Sequence, residues 1–170
     1  PLVFLIHDWN GLGDYEKRRT DMLAQQGYAA FAIDLYGQGV RPTTVAESQA
    51  ESGKLYNDRA ELRSRLFGSL EAAQALPGID SARIVAIGYC FGGAAALEFA
   101  RSGADLNGFV SFHGGLATPE GQDYQNVRGS VLILHGADDP VAPMSEVAAL
   151  ADAMTAGGVD FDLEIYGGVH

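Results

Sequence analysis

The sequence has a single cysteine, Cys90, and half as many basic as acidic residues. One cysteine cannot form a disulfide within the chain, so the fold does not depend on an oxidising compartment, and we expect a cytoplasmic protein. The 11 Lys and Arg residues stand against 22 Asp and Glu, for a net charge of −11. This balance argues against a nucleic-acid partner, which needs a basic surface. No run of about eighteen apolar residues occurs, so no membrane span is predicted.

What the sequence does contain is typical of one soluble domain. Hydrophobic residues make up 47% of the 170 residues and charged residues 19%, and this length can bury a sizeable core. We treat residues 1–170 as one domain. The chain begins at Pro1 without methionine and stops at His170 just after a strand pattern, which predicts a fragment cut from a longer protein at both ends.

Short apolar runs alternate with helical patterns along the chain. This alternation predicts a doubly wound α/β sheet of mostly parallel strands with helices on both faces. Strands are predicted at 2–6, 28–33, 83–88, 108–112, 130–134 and 160–166, and helices near 14–26, 58–76, 91–101 and 144–156. Ser145 is the predicted N-cap of the last helix. The polar, glycine-bearing segment 35–57 is predicted to be an excursion over the top of the sheet.

The stretch GYCFGG, residues 88–93, joins a predicted strand to a predicted helix. Its form G-x-C-x-G matches the nucleophile elbow G-x-S-x-G, with sulfur in place of oxygen. Gly88 and Gly92 would avoid collisions in the sharp turn, and Gly93 with Ala94 would let the helix pack closely. A thiol at a helix N-terminus is favoured as thiolate. The alternative is a buried structural cysteine beside a glycine-rich turn.

An elbow nucleophile needs an acid and then a base, in that chain order. The loop HGADDPVAP, which follows the fifth predicted strand, offers Asp138 and Asp139, and YGGVH after the last strand offers His170. All lie at the carboxyl ends of predicted strands, where open α/β sheets bind ligands. We favour Asp139 as the acid because Pro140 restricts its backbone and fixes its direction. The alternative for His170 is a solvated loop histidine.

Backbone N–H groups should form the oxyanion hole. The residue after the nucleophile, Phe91, supplies one, and the loop HDWNGLGD after the first strand supplies the other, with Trp9 as the expected donor. Gly11 and Gly13 in that loop allow the backbone to approach a ligand. Trp9 could instead only cap the core.

The three remaining histidines all fall at or just after predicted strand ends. A metal site formed by His7, His113 and His135 is conceivable, but no pair has the helical H-x-x-x-H spacing. We expect local hydrogen bonding near the rim of the site instead.

These pieces together resemble the dienelactone hydrolase family of α/β-hydrolases. The matching motifs are GYCFGG, HGADDPVAP, YGGVH and GYAAFAIDLYG after the first helix, and the resemblance covers the whole chain. It implies a Cys–His–Asp triad that cleaves esters or lactones through a thioester intermediate. Carried over by position, the triad is Cys90, Asp139 and His170, with Trp9 and Phe91 as oxyanion donors, the same set that the residues indicate.

The resemblance also implies two features that fit this chain less closely. The family prototype keeps a glutamate near its resting thiol, and the matching position is Asp8, one methylene shorter, which could instead only cap its loop. The prototype binds its substrate's carboxylate with two arginines. Arg59, in YNDRAELRSRL, is our candidate for the first, with Arg41 possible, and an exposed helix charge is the alternative. The second would lie beyond His170.

We therefore expect a hydrolase of a small ester or lactone that needs no metal or organic cofactor and acts as a monomer or homodimer. Cys90 is the expected nucleophile, His170 the base and Asp139 the acid. A thioesterase or other acyl hydrolase could use the same triad, and a non-catalytic relative could only bind a ligand. A cysteine redox sensor would lack a resolving cysteine.

Overall fold

The computed structural model describes residues 1–170 and contains six strands and five helices. The strands are β1 (Leu2–Ile6), β2 (Ala29–Ile33), β3 (Ile84–Tyr89), β4 (Gly108–Phe112), β5 (Ser130–Gly136) and β6 (Phe161–Tyr166). The helices are α1 (Asp14–Gln25), α2 (Val45–Asn57), α3 (Arg59–Gln74), α4 (Phe91–Arg101) and α5 (Met144–Ala156). Every predicted strand and helix is present, with boundaries displaced by two residues at most.

All six strands pair in parallel in one sheet of order β2-β1-β3-β4-β5-β6. From β1 the chain first adds β2 at one edge of the sheet. It then crosses to the other side of β1 to form β3, and β4, β5 and β6 follow in order toward the opposite edge. This is the predicted doubly wound α/β architecture. Its switch point lies between β1 and β3, where Ile6 pairs with Gly88, and ligands bind at such crevices beyond the carboxyl ends of the strands.

The right-handed rule for crossovers puts α1 on one face of the sheet and α3, α4 and α5 on the other. All eleven residues of α4 are buried, because α4 lies between the sheet and α3. The face that carries α1 is less covered. Alternate residues of β3 are only half-buried on that face. Helices lie on both faces of the sheet as predicted, but only the α4 face is fully covered.

Helix α2 was not predicted, because 35–57 was read as an irregular excursion. Thr44 has an extended backbone and its side chain accepts a hydrogen bond from the Glu47 N–H at 3.2 Å. The Glu47 side chain in return accepts from the Thr44 N–H, also at 3.2 Å. This capping box begins α2 at Val45. The sequence contains the T-x-x-E pattern of a helix start, although the polar composition of 35–57 indicated an irregular segment.

The N-cap of α5 also differs from the prediction. Pro143 precedes the helix with an extended backbone, and Ser145 lies inside the first turn. Proline is favoured near a helix start because its missing N–H would have no intrahelical partner there. In this fold no helix combines the length and the apolar character that crossing a membrane requires.

Candidate active site

Cys90 occupies a sharp turn between β3 and α4. Its backbone has φ 54° and ψ −115°, a strained conformation for a residue with a side chain. A Cβ on Gly88 would lie 2.0 Å from the Gly92 carbonyl oxygen, and one on Gly92 would lie 2.4 Å from the Ile6 carbonyl oxygen. Neither position can hold a side chain, so the two glycines flanking Cys90 are required by direct backbone contact.

The next turn of α4 packs equally closely. A Cβ on Gly93 would lie 2.6 Å from Ser111 Oγ and 2.9 Å from Gly114 Cα. The Cys90 N–H donates to the Phe112 carbonyl at 2.9 Å, which ties the turn to the end of β4. The sequence-based account of the glycines therefore agrees with the contacts.

Burial raises the pKa of the Cys90 thiol above its ordinary value. The backbone N–H groups of Phe91 and Trp9 act in the opposite direction because they stabilise the thiolate, and the carboxylate of Asp8 adds to the increase. The two N–H groups expected to form the oxyanion hole thus lie close enough to the sulfur to affect its ionisation. The resting thiol is mainly protonated at neutral pH.

The loop that carries Trp9 is held by polar contacts on both sides. His7 is fully buried; its Nε2 accepts from the Leu35 N–H at 3.1 Å, which leaves Nδ1–H to donate to the Asp8 carbonyl. The Tyr36 hydroxyl donates to the Trp9 carbonyl at 3.0 Å. These contacts join the loop after β1 to the loop after β2. His7 makes the local hydrogen bonds expected of it.

Gly11 and Gly13, the two glycines of the same loop, have different structural roles. Gly11 has φ +83°, and a Cβ there would lie 3.2 Å from the Tyr36 ring. Gly13 is instead the N-cap of α1, where its N–H donates to Glu16 Oε2 at 2.9 Å. The expectation that Gly13 admits the backbone to a ligand is replaced by this capping role.

Asp8 lines the same cavity as Cys90, but its carboxylate is engaged locally. Oδ1 accepts from the Asn10 N–H at 2.7 Å, and Oδ2 accepts from Asn10 Nδ2 at 3.2 Å. The side chain therefore caps its own loop, the alternative foreseen for its shorter length. Its charge still contributes to the raised pKa of Cys90.

Asp139 and His170 meet beyond the carboxyl ends of β5 and β6. His170 Nδ1 lies 3.2 Å from Asp139 Oδ1. The Asp139 side chain is almost fully buried, whereas that of His170 is 54% exposed. Burial would raise the pKa of Asp139, but the N–H groups of Val141 and Ala142, together with His170, hold it below its ordinary value. Asp139 is therefore ionised at neutral pH.

The acid loop presents Asp139, and not Asp138, to His170. Asp138 is exposed, and its N–H donates to the Val169 carbonyl at 3.1 Å. His135 is buried, and its Nε2–H donates to the Ala142 carbonyl at 2.8 Å, which fixes the loop on the far side of Pro140. His135 thus makes the local contact expected of it.

His113 differs from His7 and His135, whose rings each make a hydrogen bond. It follows β4 with φ 41°, and its Nδ1 is buried without a hydrogen-bond partner. Its ring packs edge-on against the His170 ring, with centroids 5.4 Å apart. Burial first, and then the neighbouring His170, lower the pKa of His113. The expected local hydrogen bonding is therefore wrong for His113. Its position just after a strand end was the only sequence signal.

A cavity of about 450 Å³ joins these parts. It has room for a small organic ester, and its wall includes both ring and hydroxyl groups. Three lining residues, Gln49, Ser52 and Tyr56, come from the unpredicted helix α2. The remaining lining residues are Asp8, Trp9, Cys90, Phe91, His113, Gly115, Val141 and His170.

Neither candidate arginine lines this cavity. Arg59 Nη1 lies 3.3 Å from Glu98 Oε2, and its guanidinium covers the Tyr56 ring at 5.0 Å. Arg41 Nη2 binds Asp34 Oδ2 at 2.8 Å in its own loop. Five of the predicted site residues thus line one cavity: Asp8, Trp9, Cys90, Phe91 and His170. Asp139 contacts His170 from outside the cavity wall. Arg59 points instead to Glu98.

Glu98 is a fully buried carboxylate near the end of α4, with three arginines around it. Arg63 Nε lies 2.7 Å from Oε1 and Arg101 Nη2 2.8 Å from Oε2, in addition to Arg59. Burial opposes its ionisation, but Arg101 and Arg63 hold the pKa of Glu98 below its ordinary value. This ion cluster joins α3 to the helix that carries Cys90.

A doubly wound parallel sheet with a strained strand-to-helix turn at its switch point is the arrangement of an α/β-hydrolase. The model of the dienelactone hydrolase family matches residues 1–170. The chain belongs to the dienelactone hydrolase family, whose members hydrolyse carboxylic esters and lactones.

Two solved structures are closely similar. The protein m3DLH is 37% identical, with a TM-score of 0.94 over 99% of this chain and 70% of that chain. P91, a dienelactone hydrolase-like promiscuous phosphotriesterase from metagenomic libraries, is 38% identical, with a TM-score of 0.93 and the same coverage. A candidate carboxymethylenebutenolidase of Synechocystis sp. is 26% identical over 99% of this chain and 73% of that protein.

Proposed function

We propose that the chain hydrolyses a small ester or lactone through a thioester at Cys90. His170 is the general base and acid, Asp139 orients its ring, and the N–H groups of Trp9 and Phe91 bind the oxyanion. The strongest support is the geometry around Cys90, whose strained turn brings the thiol near two backbone N–H donors.

The reaction proceeds in two halves. Cys90 transfers its proton to His170, and its sulfur attacks the carbonyl carbon. The resulting oxyanion is stabilised by the two N–H groups, because they are already oriented toward the developing charge. Its collapse breaks the carbon–oxygen bond, and His170 returns the proton to the leaving alkoxide. A water molecule, deprotonated by His170, then cleaves the thioester and releases the acid and the free thiol.

Charge in the cavity favours an uncharged substrate. Asp8 lines the wall, and Arg59 is occupied by Glu98 and Tyr56. An anionic substrate would find no free guanidinium among the lining residues and would meet the carboxylate of Asp8. We therefore propose a neutral ester or lactone that fits about 450 Å³. Carboxylate-bearing lactones should be poorer substrates than neutral ones of similar size.

The experiment compares wild type with Cys90→Ala on a neutral aryl ester. Cys90→Ala keeps the Cβ and should remain folded, while kcat/KM falls by at least about four orders of magnitude because the nucleophile is absent. Thermal unfolding checks the fold. Wild-type-like turnover in Cys90→Ala would reject the mechanism, and no turnover by either protein on ester, lactone and thioester panels would favour a binding role.

A phosphotriester is a second candidate substrate. P91 is described as a promiscuous phosphotriesterase; it is 38% identical to this chain, and the similarity covers 70% of its length. A thiol between two N–H donors suits attack at phosphorus as well as at carbon, because both transition states place negative charge on oxygen. An aryl phosphotriester assayed beside the aryl ester tests this, and Cys90→Ala should abolish both activities.

A further inference from the structure

His113 has a costly arrangement that the proposed triad does not use. Its backbone lies in the left-handed region at φ 41°, where a residue with a side chain is strained. Its Nδ1 is buried and has no hydrogen-bond partner. The strain holds the imidazole against the ring of His170, at 5.4 Å between centroids. A buried ring nitrogen without a partner needs an explanation, and an ion is one of the usual ones.

Asp139 has a matching free atom. Its Oδ1 accepts from the N–H groups of Val141 and Ala142 at 2.8 and 3.2 Å and faces His170 Nδ1 at 3.2 Å. Its Oδ2 is buried and has no partner. The two backbone contacts fix the carboxylate while leaving one oxygen unused.

The three side chains form a compact set of ligands. One ligand atom from each of His113, Asp139 and His170 lies within 4.8 Å of the other two. Two imidazoles and a carboxylate are ligands that Zn²⁺ accepts, with a fourth position left for water. Ligand atoms of a tetrahedral zinc lie about 3.4 Å apart. Asp139 offers Oδ1, which is 3.2 Å from His170 Nδ1, and the unpartnered Oδ2 beside it. The set, whose ligand atoms lie within 4.8 Å of one another, would have to contract by roughly 1 Å around the ion.

We propose that His113, Asp139 and His170 form an inhibitory Zn²⁺ site. Zinc on Nδ1 of a neutral His170 leaves the ring proton on Nε2, so that nitrogen can no longer accept the proton of Cys90. The metal thus removes the base without touching the thiol. Binding of zinc follows from the geometry alone, whereas inhibition rests on the proposed function.

The other histidines cannot compete for this role. His7 already uses Nδ1 and Nε2 in contacts to the Asp8 carbonyl and the Leu35 N–H. His135 is also buried with an unpartnered Nδ1, but its Nε2 donates to the Ala142 carbonyl and it is not part of the compact group of ligand atoms. The ligand set of His7, His113 and His135 considered from the sequence is therefore not the one that the structure brings together.

Isothermal titration with Zn²⁺ tests the site on the whole chain. Wild type should bind one zinc ion, and His113→Phe, which keeps an aromatic ring, should bind it at least about tenfold more weakly, since loss of even an outer partner has that effect. Asp139→Asn should lose binding, and the matched control Asp138→Asn should retain it. With Co²⁺ in place of zinc, wild type should show visible absorption of a tetrahedral ion, and His113→Phe should not.

Cys90→Ala separates this site from zinc held by the thiol. The variant should bind zinc with wild-type affinity. Loss of binding in Cys90→Ala, or equal affinity in wild type and His113→Phe, would overturn the proposal.

Inhibition is measured in the same proteins after chelator treatment. Zinc should suppress ester hydrolysis by wild type and be reversed by chelator, and each variant is compared with its own zinc-free rate. His113→Phe should need at least about tenfold more zinc for the same suppression. Unaltered hydrolysis by zinc-saturated wild type would refute the inhibitory role. Absence of hydrolysis before zinc is added would count against the proposed function, while calorimetry still decides the site.

Discussion

The two halves of the candidate site are held in different ways. On one side, Cys90 is fixed by backbone contacts so close that Gly88 and Gly92 admit no side chain. On the other side, the exposed ring of His170 is held to Asp139 by one contact of 3.2 Å and packs on the ring of His113. Steric exclusion thus defines the position of the proposed nucleophile, whereas polar contacts of a loop define that of the proposed base.

This difference predicts different kinds of damage. Changes at the glycines that flank Cys90 should mainly affect folding, since the turn and the buried helix α4 share one set of contacts. Changes that break the contact between His170 and Asp139 should mainly affect catalysis, because that contact orients the proposed base and the His170 side chain is itself 54% exposed. Four substitutions test this contrast, from the largest expected effect to the smallest.

Asp139→Asn should lower kcat by about four orders of magnitude, on the order of 5 kcal/mol, as loss of a triad acid does elsewhere. Asp138→Asn, the exposed neighbour, should change kcat by less than about tenfold. Steady-state kinetics on one aryl ester measures both. A reversed ranking would assign Asp138 to the triad and contradict the description of the loop.

Glu98→Gln should reduce the free energy of unfolding by about 3–5 kcal/mol at pH 7, because three arginines lose their buried partner. The pKa of Glu98 is lowered in the folded state, so its contribution is complete above the unfolded pKa of about 4.3 and is lost as pH falls through the lower folded pKa. The difference from wild type in urea unfolding should therefore shrink below about pH 4. The exposed control Glu71→Gln should stay within about 0.5 kcal/mol of wild type.

Gly88→Ala should destabilise the fold by about 3 kcal/mol or more, because its Cβ would lie 2.0 Å from a carbonyl oxygen. Gly68→Ala is the matched control on α3, where a Cβ meets nothing within 4 Å. It should stabilise by up to about 1 kcal/mol, since alanine favours a helix. Thermal unfolding compares the two variants. Equal stability of Gly88→Ala and wild type would show that the turn is not sterically fixed.

Asp8→Asn should lower the pKa of the Cys90 thiol, because one of the charges that raise it is removed. Alkylation by iodoacetamide should become a few-fold faster near neutral pH, on the order of 1 kcal/mol, and its midpoint should move to lower pH. Asp14→Asn removes the same charge at a side chain that is 91% exposed and should leave the rate unchanged. Identical profiles for Asp8→Asn and wild type would exclude Asp8 from control of the thiol.

Most of the fold and the nucleophile turn were predictable from the sequence. Short apolar runs predicted the six strands, and the spacing of Gly88, Cys90 and Gly92 indicated a turn that the contacts then explained. These signals are local, because strand and elbow geometry act within a few residues. The identity of Asp139 as the neighbour of His170 was also indicated locally, by Pro140.

What the sequence did not indicate depends on contacts between distant segments. The pairing of Arg59 with Glu98 joins α3 to α4 across 39 residues of chain, and no local pattern distinguishes it from an arginine directed at a ligand. The strained backbone of His113 stands next to Gly114, which packs closely against α4, and this tertiary contact has no local sequence signal. Helix α2 differs from these two cases, because its start signal, the capping box of Thr44 and Glu47, is local. The polar composition of the segment nevertheless favoured an irregular structure.

Trapping the acyl-enzyme tests the central claim most directly. Wild type is mixed with an activated aryl ester, quenched in acid within the first turnover, digested and analysed by mass spectrometry. We predict that the acyl group is found on the peptide that contains Cys90, that hydroxylamine removes it, and that Cys90→Ala acquires none. An acyl group on another residue, or continued turnover in Cys90→Ala, would contradict the assignment of Cys90 as the nucleophile.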